Sequence, residues 1–443
     1  MAPQESAPSP LGSESGLSRR TVLKGLGVSA AGVAAAPLLA ACTGSSNKTS
    51  SGSSSGSKTT TVGSNYSDAA PKTAFAGVIS AFQSKSGDTA KVNTVAHNDF
   101  QNNITNYLNG SPDDVFTWFS GFRMKFYAEK GVVAPLDEVW TKISPNFPDS
   151  IAQASTAADG KKYLVPWVTY PWAVFYKKGL FAEKGYQVPT TWDAYIALAK
   201  QMKKDGLIPI AFAESDGWPA MGTFDYLNMR INGYQFHVDL MAHKQSWNSD
   251  QVKKVFDTWK ESMPYHQAGA LGRKWQDAAD AIGSKKAGMY VIGSDQIAAQ
   301  LTGAAAADLD FFPFPAIDPA NGQDAVEAPI DGFMMSKKGA GNQAAIDLLS
   351  YLGTGAAQMT YLGSNKADVA TAKDANTTGY TDLQKKATQF IGAAKQVSQF
   401  LDRDSLPTFA SNVMIPALQK FIQNGTFDTS GVEAQAKQLF ANP

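Results

Sequence analysis

The chain has 443 residues and balances 39 Lys+Arg against 39 Asp+Glu, a formal net charge of zero that gives no basic face for nucleic acid. Its length allows two domains even after a leader is set aside. A single Cys excludes any disulfide within the chain, so the fold must stand on a hydrophobic core, and a core of this size needs no covalent staple.

The first element is an export leader. Ser18-Arg19-Arg20-Thr21-Val22-Leu23-Lys24 reads as a twin-arginine signal, with Val22 where Phe is commoner. Gly25 to Ala41 is weakly apolar, too short to span a bilayer, and ends in small residues. Leu39-Ala40-Ala41-Cys42 resembles the lipobox of bacterial lipoproteins, which implies cleavage before Cys42 and acylation of its thiol. The signal peptide is thus 1–41, and 42–58 is a lipidated Cys followed by a Ser/Gly-rich linker. Such a linker behaves as a flexible coil reaching roughly 20–24 Å.

From Thr59 the pattern alternates between strand and helix. Thr60–Gly63 is a strand, and Ala70–Lys85 a helix with Phe75, Val78, Ile79 and Phe82 on one face and Gly87 as its stop. Lys91–Val95 is a second strand, Asp99–Asn109 a second helix, and Val115–Trp118 a continuously apolar third strand. This order predicts an α/β sheet that is largely parallel. Extended segments follow at 162–169 and 173–177, then a helix from 191 to 205 with Thr191 as N-cap. Strands are expected at 208–213, 289–292, 310–314 and 328–335; helices at 220–232, 249–262, 344–352, 383–397 and 413–422.

Three stretches carry a family resemblance: the leader with its lipobox, Pro112 to Gly121 (PDDVFTWFSG), and Leu164-Val165-Pro166-Trp167 running on to Phe175-Tyr176-Lys177-Lys178. Val188-Pro189-Thr190-Thr191-Trp192-Asp193 extends it. The chain resembles the extracellular solute-binding proteins of ABC sugar importers over essentially everything from Thr59. That resemblance implies a two-lobed α/β fold of the periplasmic-binding-protein type II, with ligand held in the cleft between lobes. It implies lobe 1 at 59–169 with 316–371, and lobe 2 at 170–315 with 372–443. It also implies a monomer that captures a mono- or oligosaccharide outside the membrane and delivers it to permease subunits. Closure requires a ligand that touches both lobes at once.

A sugar needs flat rings against its C–H face and carboxylates or amides at its hydroxyl edge. Trp118 ends the third strand, where open α/β sheets bind ligands, and the family's matching position lines the cleft. Tyr170 and Trp172 lie at the implied hinge, and Trp218 follows a strand through the polar loop 214–217. Trp275 precedes a helix and either covers the cleft or packs; Trp167 is open between hinge packing and ligand. Trp140, Trp192, Trp247 and Trp259 fit helix faces or starts, hence core. Polar candidates are Tyr66 and Asp68 after the first strand, Asn98 and Asp99 after the second, and Ser120 after the third. Ser294 and Asp295 open a helix, and Asp331-Gly332 interrupts an apolar strand, where a carboxylate needs a partner. Arg403 either reaches the cleft or sits in a solvated cluster with Asp402 and Asp404.

A secreted glycosidase would need two carboxyl groups facing one bond. The neighbouring pairs Asp113/Asp114 and Asp402/Asp404 do not establish that, and no nucleophile elbow, phosphate loop or metal-ligand His spacing emerges. The expectation is therefore a binding protein without catalytic residue, metal or cofactor. A peptide or osmolyte is the alternative solute, and an adhesion lipoprotein the alternative without one.

Overall fold

The structure, a computed structural model, describes residues 58–441. The leader, Cys42 and most of the linker lie outside the described residues. Thirteen strands are present among them: β1 (Thr59–Ser64), β2 (Thr89–Thr94), β3 (Val115–Phe119), β4 (Val133–Ala134), β5 (Val165–Thr169), β6 (Trp172–Lys177), β7 (Ile208–Ile210), β8 (Ala287–Gly293), β9 (Leu309–Phe312), β10 (Ala325–Glu327), β11 (Ile330–Ser336), β12 (Val369–Ala370) and β13 (Gln396–Ser398).

The first sheet runs β12-β5-β11-β3-β1-β2, with β4 paired to the far end of β11. β1 lies parallel to both β2 and β3, Val62 facing Val92 and Val115. Helices Ala69–Ser86 and His97–Asn109 supply the crossovers that parallel pairing requires. The first helix buries Phe75, Val78, Ile79 and Phe82. It stops at Gly87, whose φ of 77° lets its N–H reach the Gln83 carbonyl. Beyond β3 the sheet turns antiparallel, since β11, arriving from the second sheet, runs against both β3 and β5. The expected largely parallel sheet is therefore a mixed one.

The second sheet runs β7-β8-β6-β9, with only β7–β8 parallel. β10 and β13 form a separate parallel pair. The helix expected to run through Val397 ends at Ala393, and the chain turns extended into β13. Thr191 caps helix Trp192–Lys204 by accepting the Ala194 N–H. The chain passes between the two sheets at Tyr170-Pro171, again between β9 and β11, and a third time after β12. Each sheet anchors one lobe of a two-lobed α/β fold. One large core cluster runs through both, while Phe100, Ile104, Phe116, Trp118 and Tyr127 form a smaller one beside β3.

Candidate functional site

The loops at the strand ends of the two sheets face each other, and two adjoining cavities of about 70 and 20 Å³ lie between them, sharing His97 and Gln296. The larger is polar. Asn65, Tyr66 and Asp68 reach it from the end of β1, Asp295 and Gln296 from the helix after β8, and Asp331 from β11. Tyr361, Asn365 and Asp368 close one side and Trp275 another. The smaller is lined by four aromatic rings, of Tyr170, Trp172, Trp218 and Phe400, together with the polar side chains of His97, Gln101, Gln296, Asp402 and Arg403.

Arg403 organises the floor. Its Nη1 donates to Asp331 Oδ1 at 2.7 Å and its Nη2 to the Tyr170 hydroxyl at 2.8 Å. The guanidinium lies 3.9 Å from the centroid of the Phe119 ring. The carboxylate that interrupts β11 thus has its partner. Gly121 permits this approach: with φ at 98°, a Cβ there would stand 2.7 Å from the Arg403 carbonyl. Arg123 braces the same turn, donating to Gln101 Oε1 at 2.9 Å and facing Asp402 Oδ2 at 3.5 Å.

Burial governs the electrostatics. It pushes Asp295 and Asp368 well above the carboxylate range; repulsion from Asp368 and Asp331 adds to the rise of Asp295, and repulsion from Asp331 to that of Asp368. Asp331 is raised by burial too, with Arg403 pulling it back. Burial first, then the nearby Arg403 and Arg123, lower His97 to about 4, so its imidazole is neutral near pH 7. Buried polar atoms normally have partners. Around these cavities Asn65 Oδ1, the Tyr66 hydroxyl, Asp295 Oδ1, Gln296 Oε1, Asp368 Oδ1 and Asp402 Oδ1 have none within the protein. A larger groove of about 380 Å³ opens on Ser120, Lys125, Tyr234 and Asp404, yet no lining side chain there holds a buried, unpartnered polar atom. The smaller pair has the chemistry of a binding site: aromatic on one side, and short of hydroxyl-like partners on the other.

Of the residues singled out from sequence, Tyr66, Asp68, Tyr170, Trp172, Trp218, Trp275, Asp295, Asp331 and Arg403 line these cavities. Six others do not. Trp118 is buried beside Phe119, Tyr127 and Phe100, with Arg123 over its ring, in the small core cluster it shares with Phe116 two residues earlier on the strand. Ser120 donates its hydroxyl to the Ala154 carbonyl, and Ser294 to the Ala367 carbonyl. Gly332 has no side chain to offer and is pressed against the Val165 carbonyl. Asp99 is exposed on the first turn of its helix. Asn98 reaches across the cleft to Asp216 Oδ1 at 3.1 Å. Sequence reasoning passed over His97, Gln101, Gln296, Phe400, Asp402 and the Tyr361, Asn365, Asp368 group. The polar break Asn365-Lys366-Ala367-Asp368 before β12 was the signal available for the last of these.

The model of the bacterial extracellular solute-binding protein family matches residues 66–359. An ABC transporter extracellular-binding protein of Pyrococcus horikoshii is 26% identical over 63% of this chain and 62% of its own length. The multiple sugar-binding protein of Streptococcus mutans is 26% identical over 37% of this chain and 40% of its own. The chain therefore spans less than two thirds of the curated relatives it matches. Among solved structures, the bacterial solute receptor AcbH, described as exclusively preferring β-D-galactopyranose, is 49% identical. It superposes with a TM-score of 0.85 over 87% of this chain and all of AcbH. A chitin oligosaccharide binding protein shares the fold at 20% identity, with a TM-score of 0.76 over 86% of this chain and 98% of its own. With a matched span that covers well over half of its length, this chain belongs to the bacterial extracellular solute-binding protein family.

Proposed function

We propose that the chain is the substrate-binding component of an ABC importer, capturing a neutral sugar by cleft closure and passing it unaltered to a permease. One observation carries this reading: buried carboxyl, amide and phenol atoms without protein partners surround cavities walled by Trp172, Trp218, Trp275 and Phe400. Sugar hydroxyls satisfy such atoms, and each hydrogen bond to a charged group contributes about 1.5–3 kcal/mol. The preference described for AcbH, at 49% identity, makes D-galactose the first sugar to try. The reading takes 59–169 with 316–371 as lobe 1 and 170–315 with 372–443 as lobe 2. It includes export through the twin-arginine signal, a lipid anchor at Cys42, a monomeric state and no catalysis.

The test is a titration of leaderless protein, followed by Trp fluorescence, against a panel of hexoses, pentoses and oligosaccharides. A saturable response to a sugar is expected. Silence toward every sugar with a response to peptides or betaines would replace the solute class.

A further inference from the structure

Two side-chain pairs bridge the lobes at the rim of the cleft. Asn98 Nδ2 donates to Asp216 Oδ1 at 3.1 Å, and Gln276 Nε2 approaches Asp68 Oδ1 at 3.5 Å. Asp68 occupies the N-cap of helix Ala69–Ser86 yet makes no capping bond, so its carboxylate is turned across the gap instead. On the other side, Asp216 Oδ2 accepts the Trp275 N–H at 3.2 Å, which ties the bridging carboxylate to the residue walling the larger cavity. Asp68 is exposed and the other three half-buried, so all four stand at the cleft's outer edge.

The space behind them is small. The cavities, about 70 and 20 Å³, are together smaller than the roughly 150 Å³ cavity that accepts one benzene ring. A single pyranose therefore fills them and leaves no room for another. A second ring has to leave through the rim, where the bridges stand.

Resting on the sugar reading above, we propose that Asn98–Asp216 and Asp68–Gln276 form a latch that confines the protein to single-ring sugars and sets how long a captured ring stays. Asn98, Asp216 and Gln276 stand outside the cavity lining, and only Asp68 borders it, so loss of the Asn98 and Gln276 amides acts on escape rather than on encounter.

The experiment measures stopped-flow fluorescence of the whole mature chain with D-galactose, D-glucose and lactose. Asn98→Ala/Gln276→Ala is expected to raise the dissociation rate of the bound hexose about tenfold. Its association rate is expected to stay within about twofold, and lactose, refused by the native protein, is expected to bind. Asn98→Asp, which sets a second carboxylate against Asp216 at nearly constant size, is expected to speed release as well. Unchanged release in both variants, or native protein that takes lactose as tightly as galactose, overturns the latch alone. Native protein silent to all three sugars and to the wider panel overturns the sugar reading and the latch with it.

Discussion

Trp118 shows how far position in a strand constrains function. It sits at the end of β3, where a ligand contact was expected, but its indole is 1% exposed among Phe100, Phe116, Phe119 and Tyr127. Trp118→Ala should cost about 3–5 kcal/mol of stability, read by urea unfolding. The folded fraction should bind its solute within about threefold of the native protein. A large loss of affinity at unchanged stability would return Trp118 to the cleft. The neighbouring Phe119 carries the contact to Arg403 instead. A sequence identifies the end of a strand more readily than the face each residue takes there. Tyr66, Asp295 and Trp172 were legible because they flank strands whose ends converge on the cleft. Tyr361 and Asp368 were not, because they come from helix Gly355–Ser364 and the turn after it, whose place is set by the return of the chain to the first sheet.

Helices with written-in caps were the easiest elements to read. Thr191 and Gly87 mark their termini in sequence and in structure alike. Interior polar groups were the hardest, and helix Tyr234–Met241 is the sharpest case. His237 is fully buried, its Nδ1 3.1 Å from Asn228 Nδ2 and its Nε2 3.4 Å from Ser398 Oγ of β13, with Asp225 Oδ1 at 3.9 Å. Burial pushes its pKa down to about 3, against about 6.5 in the unfolded chain. The unfolded state therefore binds more protons between those values, so this group's contribution is complete above about 6.5 and is lost as pH falls toward 3. At pH 5 the loss amounts to roughly 2 kcal/mol. His237→Gln should flatten the fall in stability between pH 7 and 5, as followed by urea midpoints. An identical slope in the variant would assign the acid sensitivity elsewhere.

For the whole molecule, the mixed sheets follow from connectivity. β1, β2 and β3 pair in parallel through helical crossovers, whereas β11 re-enters the first sheet from the second and inserts antiparallel between β3 and β5. Strand and helix order predicted the α/β class from local pattern; antiparallel pairing of β11 and β5 depends on contacts far apart in sequence, which local pattern does not encode. The two-lobed arrangement came instead from the family resemblance, which supplies long-range information that periodicity lacks. At this scale the proposed anchor is testable as well. Cys42→Ser should shift the protein from the membrane fraction into the medium, by fractionation and immunoblotting. Retention on the membrane would remove lipid from the account.

The turn Leu401–Asp404 has a bearing on biosynthesis. Among the described residues Arg403 is the only Lys or Arg lining either cavity, and it belongs to the last tenth of the polypeptide. A nascent chain still on the ribosome lacks the guanidinium that neutralises Asp331, so added solute should rescue finished molecules from degradation but not translation products that stop short of that turn.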